Sequence, residues 1–213
     1  MEACVFDLDG VLVDSEPVWE EVRRAFVADH GGVWQPDTQS RLMGMSTGEW
    51  AAYLHELGVR LTPDEIARGV IDQMAARYRD AGVPLLPGAQ AAVRRLAASL
   101  PLGLASSSPR ALIDVVLDAT DLTSCFAATV STEEVERGKP APDGYLEAAR
   151  RLGVDPKGCV AVEDSSNGLR SAHAAGMRVI AVPHPRYPPA PDALGLAAHV
   201  LPDLDALTVN LFT

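Results

Sequence analysis

The run Val5-Phe6-Asp7-Leu8-Asp9-Gly10-Val11-Leu12-Val13-Asp14-Ser15 passes from apolar, strand-forming residues into two aspartates two positions apart, then a glycine. Residues two apart on a strand face the same side, so where strand gives way to loop the carboxylates of Asp7 and Asp9 can converge on one small volume. Two close like charges repel unless a cation or a proton neutralises one of them. A divalent metal meets that need, and an all-oxygen site suits Mg²⁺, which also binds phosphate. An aspartate beside such a metal can attack phosphorus and carry an aspartyl-phosphate. The chemistry suggested is metal-assisted phosphoryl transfer, although two aspartates flanking a turn are also an ordinary turn signal.

Three further positions bear on that choice. Ser106 follows the apolar run Leu102–Ala105, with Ser107 and Ser108 behind it and Pro109 opening a helix. A hydroxyl and free amides at a helix start form an anion site, while a serine cap before a proline is the plainer explanation. Lys139 lies in Glu136-Arg137-Gly138-Lys139-Pro140-Ala141-Pro142-Asp143. A compact ammonium on a backbone pinned by glycine and prolines could offset a phosphate or the aspartate pair; the ordinary alternative is a solvated lysine. Glu163 and Asp164 end the run Val160–Val162, before Ser165-Ser166-Asn167-Gly168 leads into a helix. This second acidic pair would complete a hard-oxygen metal site if its strand neighbours the first, or Asp164 and Ser165 could simply cap the helix. Each local explanation is adequate alone. Four such positions at four strand ends, in a pattern that gathers strand ends into one crevice, point to a common site.

The elements that must position them are legible as alternating runs. Leu102–Ala105, Ala127–Val130, Val160–Val162 and Val179–Val182 read as short buried strands, and 88–99, 109–118, 142–152 and 166–175 as helices. Pro109 and Pro142 suit first-turn positions, and Gly153 and Gly176 suit helix stops. Strand–helix alternation predicts an α/β fold, a Rossmann-like parallel sheet with helices on both faces. Residues 17–80 differ: they hold the amphipathic stretches Pro17–Asp29, Thr47–Leu57 and Pro63–Asp80 and no convincing buried strand. They predict a small all-helical cap inserted after the first strand, with a core of residues 1–15 and 82–213 and a cap of 16–81. Asp14-Ser15-Glu16-Pro17 and Ala81-Gly82-Val83-Pro84 are the expected connections. Pro183-His184-Pro185-Arg186-Tyr187-Pro188-Pro189-Ala190-Pro191 reads as a stiff surface loop.

The 213 residues suffice for one sizeable core or for a core with a small appendage. A formal net charge of −11 argues against nucleic acid as a partner. Cys4, Cys125 and Cys159 form no CxxC pair; an odd count with no signal peptide and no apolar run near membrane-spanning length predicts a reducing cytoplasm and no membrane contact. The histidines (His30, His55, His173, His184, His199) show no metal-ligand spacing and read as surface or packing residues. Neither GxGxxG nor GxxxxGK[ST] occurs, so no dinucleotide site or P-loop is supported.

Together, Asp7-Leu8-Asp9-Gly10-Val11-Leu12-Val13-Asp14-Ser15, Ala105-Ser106-Ser107, Gly138-Lys139-Pro140-Ala141-Pro142-Asp143 and Val162-Glu163-Asp164-Ser165-Ser166-Asn167-Gly168 resemble the haloacid dehalogenase-like hydrolase superfamily. The resemblance extends over essentially the whole chain and is nearest the phosphatase and β-phosphoglucomutase-like branch. It implies that Asp7 is the nucleophile and that Asp9 is general acid, then base, with its backbone carbonyl on Mg²⁺. It further implies that Ser106 and the Ser107 amide bind the phosphoryl group and that Lys139 holds nucleophile and phosphate charge. Asp164 would ligate Mg²⁺, with Glu163 assisting directly or through water. Cap closure would exclude water and select substrate.

The branches separate in part. Dehalogenases of the superfamily lack the second aspartate as acid, and Asp9 is present. Phosphonate-cleaving members use a cap lysine, and 17–80 contains none. β-Phosphoglucomutases usually carry a cap-loop arginine and a lysine just after the serine motif. Here Gly44-Met45-Ser46-Thr47-Gly48-Glu49 and Pro109 stand there, with Arg41 or Arg110 as substitutes. The expectation is a Mg²⁺-dependent phosphatase for a small phosphorylated sugar, polyol or acid, acting as a monomer or weak dimer. A sugar phosphate mutase is the alternative, and a non-catalytic binding protein on this fold is the third reading. Specificity would lie around Met43–Trp50; Trp19, Trp50 and Tyr53 line a pocket or pack the cap.

Overall fold

A computed structural model describes residues 1–42 and 45–212. Met43 and Gly44 of the expected specificity loop therefore lie outside the described residues. The chain forms two compact units, Met1–Asp14 with Val83–Thr213, and Ser15–Gly82.

β1 (Ala3–Phe6) opens the first unit with four buried residues, as a strand covered on both faces requires. The second unit follows with α1 (Glu16–Asp29), α2 (Thr38–Leu42), α3 (Thr47–Glu56) and α4 (Pro63–Ala81), and no strand occurs among its described residues. Val18, Val22 and Phe26 of α1, and Ile66, Val70, Met74 and Tyr78 of α4, recur at four-residue steps and make one apolar stripe on each helix. α4 packs against both α1 and α3. Ser46 and Thr62 each close a capping box, with Glu49 and Glu65 respectively, which fixes where α3 and α4 begin. α2 was not expected: five residues are too few for an apolar period to register. It is tied to α1 by Gln39 Nε2 donating to Glu16 Oε2 at 2.9 Å.

The first unit resumes with α5 (Ala89–Ala97), β2 (Leu102–Ser106), α6 (Arg110–Ala119), β3 (Phe126–Ser131), α7 (Asp143–Leu152), β4 (Cys159–Glu163), α8 (Ser166–Ala174), β5 (Arg178–Ala181), α9 (Pro191–Leu194) and β6 (His199–Val200). The four strands and four helices expected here are present, their ends displaced by a residue or two; α9 and β6 were missed because they are too short to show a period. Pro109 and Pro142 stand at the N-cap, one residue before the first turn expected for them.

The sheet is parallel in the order β3-β2-β1-β4-β5-β6. Strand order reverses at β1, so the crevice at the carboxyl ends of β2, β1 and β4 is the topological place for a ligand. Register does the positioning. Phe6 pairs with Leu104 on one side and Val162 on the other, so Asp7 stands level with Ala105 and Glu163. Below it, Ala3, Val5, Ala105, Val130 and Ala161 pack on Tyr145, Ala148 and Ala149 of α7 and Leu169 and Ala172 of α8. Cys4 and Cys159 are buried in adjacent strands. Where the two connections leave this unit they pair with each other: Asp14 N donates to Pro84 O and Leu86 N to Leu12 O, both at 2.9 Å, with Val13 antiparallel to Leu85. No helix among the described residues is long and apolar enough to cross a membrane.

Candidate active site

The end of β1 is tied to β4 by the Asp7 amide, which donates to Val162 O at 3.0 Å. Lys139, from the loop between β3 and α7, bridges the two strand ends: its Nζ lies 2.5 Å from Asp7 Oδ1 and 2.6 Å from Glu163 Oε1. All three side chains are buried. The pinned loop thus delivers a sequestered ammonium, not the solvated lysine of the plainer reading. Tyr145, which the sequence analysis did not single out, donates its hydroxyl to Glu163 Oε1 at 2.8 Å and lays its ring 5.1 Å from Lys139 Nζ.

The other oxygen of Glu163 is equally engaged. Oε2 accepts from the Asp164 amide at 3.0 Å and from the Ser165 amide and Oγ, each at 3.2 Å. Ser165 Oγ accepts in turn from the Gly168 amide at 3.1 Å, capping α8. A Cβ at Gly168 would overlap the Glu163 carboxylate, so the helix start can approach this strand end only with glycine there.

A second cluster surrounds Asp9. Ser108 Oγ donates to Asp9 Oδ2 at 2.7 Å and Ser106 Oγ at 3.3 Å, while the Ser108 amide donates to Ser106 Oγ at 2.9 Å. Ser131 Oγ, from the end of β3, holds Ser108 O at 2.8 Å. Ser106 and Ser108 are buried and Ser107 is exposed. Ser108 was missed because a third serine in a row carries no signal of its own; its role depends on how the chain turns after β2.

The charge balance of the first cluster is lopsided. Asp7, Glu163 and Asp164 each present a carboxylate oxygen within 4.8 Å of one another, against the one ammonium of Lys139. Burial pushes Asp7 up to about 8; the Glu163 and Asp9 carboxylates add to the rise and together these outweigh Lys139, which acts the other way. Burial, then Glu163 and Asp7, also raise Asp164 well above the carboxylate range. Burial alone would depress Lys139, but Asp7 and Glu163 hold it above its ordinary value. A divalent cation would remove this excess of negative charge. The residues fit one: Asp164 Oδ1 is buried with no hydrogen-bond partner among the described residues, and the donor set is all oxygen. Gly10, at φ +80°, leaves the Asp164 carboxylate the space a Cβ would fill. The Asp9 carboxylate is outside this group, turned to the two serines.

In the second unit, Trp19 and Trp50 are buried with ring centroids 6.1 Å apart, and the Arg23 guanidinium lies 4.3 and 4.9 Å from them. Tyr53 carries the Arg41 guanidinium 5.0 Å over its ring.

The acidic crevice lies at the strand reversal of a parallel sheet, and the sequence pattern of the haloacid dehalogenase-like hydrolase family matches residues 1–176. The chain belongs to that family. It is 38% identical over 189 residues to hexitol phosphatase B of Escherichia coli, covering 86% of this chain and 84% of that protein. It is 32% identical over 187 residues to the phosphorylated carbohydrates phosphatase of Thermotoga maritima, covering 86% of each. The crystal structure of CbbY from Rhodobacter sphaeroides in complex with phosphate superposes with a TM-score of 0.85 at 25% identity, covering 97% of this chain and 96% of that one.

Proposed function

We propose that this protein is a Mg²⁺-dependent phosphatase of small phosphorylated sugars or polyols, working through an aspartyl-phosphate on Asp7. The observation that carries the reading is the buried Asp7–Lys139–Glu163 bridge beside an unpartnered Asp164 oxygen: a nucleophile oriented by an ammonium, next to a carboxylate oxygen that can ligate a cation. The sugar and polyol phosphatases among its relatives support the substrate class.

Asp7 and Asp164, with the Asp9 carbonyl, would hold the metal, which supplies positive charge to the phosphoryl oxygens and keeps Asp7 ionised. Glu163 assists from behind: both its oxygens are taken by donors, so it orients Lys139 and the Asp164 turn. Asp7 attacks phosphorus as the ester P–O bond breaks, and Asp9 gives its proton to the departing alkoxide. Asp9 then takes a proton from water as that water attacks the aspartyl-phosphate, releasing phosphate and restoring Asp7. Ser106 and the Ser107 amide bind the phosphoryl oxygens, and Lys139 offsets their charge.

The mutase alternative needs a cation for a second phosphate, and of the two candidates Arg110 is engaged elsewhere. Nε, Nη1 and Nη2 of Arg110 are all bound, to Glu134, Asp114, Thr129 Oγ1 and Thr129 O. Arg41 is stacked on Tyr53 and donates to its hydroxyl at 3.2 Å. The test is phosphate release from a panel of sugar, polyol and small-acid phosphates with Mg²⁺, beside Asp7→Asn. Turnover lost without metal and in the variant supports the phosphatase. Hexose-phosphate isomerisation requiring a bisphosphate activator, without net phosphate release, would replace it by the mutase.

A further inference from the structure

The loop from β5 to α9 contains a buried titratable group that the reaction above does not use. His184 is buried, although its neighbours Pro185 and Arg186 are exposed. Its ring stacks on Tyr187, with centroids 5.2 Å apart and planes 16° from parallel. Nδ1 accepts from the Arg186 amide at 3.3 Å, which puts the ring proton on Nε2. Nε2 faces Asp14 Oδ1 at 3.5 Å. A loop that reads as a stiff surface segment thus turns one side chain inward onto one acceptor.

Asp14 is the residue where that contact has consequence. Its amide donates to Pro84 O in the short ladder joining the two connections. Val13, immediately before it, accepts from the Gly10 amide at 2.8 Å and donates to Leu8 O at 3.0 Å, closing the loop that carries Asp9. Gly10 in that loop packs directly against the Asp164 carboxylate. A continuous path of contacts therefore runs from His184 through Asp14 and Val13 to Gly10, Asp9 and Asp164.

We infer that His184 is a positioning residue: by clasping Asp14 it fixes the far end of the nucleophile loop, and with it the placement of Asp9. This rests on the phosphatase reading for its kinetic consequence, and the test separates the two. Hydrogen exchange is measured on wild type, His184→Ala, His184→Gln and Asp14→Ala, and kcat and KM are determined with p-nitrophenyl phosphate. In His184→Ala and Asp14→Ala the amides of residues 14 and 86 exchange about two- to fivefold faster, the scale of one long N–H···O contact, while β1 amides are unchanged. kcat falls by a similar factor at constant KM, His184→Gln, which keeps a donor, restores both, and combining His184→Ala with Asp14→Ala adds nothing further. Unchanged exchange in His184→Ala overturns the clasp, and faster exchange with unchanged kcat overturns the positioning role. A wild type that turns over no phosphate ester refutes the phosphatase reading and the positioning role together, leaving the exchange comparison to decide the clasp.

Discussion

Replacing Glu163 with glutamine isolates what holds the centre of the site together. Every group around the carboxylate is a donor: Lys139 and Tyr145 on Oε1, and the Asp164 amide with the Ser165 amide and hydroxyl on Oε2. A glutamine must turn its NH₂ toward one of these sets. Two backbone amides cannot reverse on the Oε2 side, so the NH₂ goes to the Oε1 side, where Tyr145 can rotate to accept but an ammonium cannot. The loss is then one charge-assisted hydrogen bond and one buried ion-pair partner, a cost of about 3–5 kcal/mol. Removing one negative charge beside Asp7 and Asp164 relieves part of this, leaving about 2–4 kcal/mol. For a chain of this size that lowers the thermal midpoint by roughly 5–15 °C. The assay is thermal unfolding followed by circular dichroism in chelator, so that metal linkage plays no part. Tyr145→Phe, which removes one donor and keeps the shape, lowers the midpoint by roughly 2–4 °C. A Glu163→Gln midpoint within about 2 °C of wild type, or below which Tyr145→Phe falls further, would refute the donor cage.

Ser108→Ala removes the short bond to Asp9, lowers kcat about fivefold in steady-state kinetics and lowers the thermal midpoint by roughly 2–4 °C. Mg²⁺ at a hundredfold excess over its dissociation constant stabilises the wild type by about 2.7 kcal/mol, and Asp164→Asn abolishes most of that shift in differential scanning calorimetry. Gly168→Ala drives a methyl into the Glu163 carboxylate and destabilises by about 1–3 kcal/mol in chemical denaturation. Hydrogen bonds from Arg150 and Arg151 lower Glu147 from 4.5 to about 2. Because its folded value is depressed, its contribution to stability is present above pH 4.5 and is lost as pH falls toward 2. Glu147→Gln therefore flattens the denaturation-midpoint curve over that interval and leaves its shape at neutral pH unchanged.

The sequence by itself determined the alternation of strands and helices, because buried parallel strands must be continuously apolar and the helices between them amphipathic. The candidate site residues are legible too: aspartates two apart after a strand, a lysine between glycine and prolines, and an acidic pair at another strand end stand out as letters. What it left open depends on register and on side-chain direction. Only the sheet order puts Asp7 level with Glu163, and only the turn after β2 brings Ser108, not Ser106 alone, onto Asp9. Tyr145 draws no notice in the sequence, and its part shows only where its hydroxyl reaches Glu163. His184 reads as part of a surface loop until its ring is found buried against Tyr187 and facing Asp14. The physical reason is common to all of these. Periodicity and composition are local along the chain, whereas the partners of a buried polar group are separated by tens of residues and are chosen by the fold that brings them together.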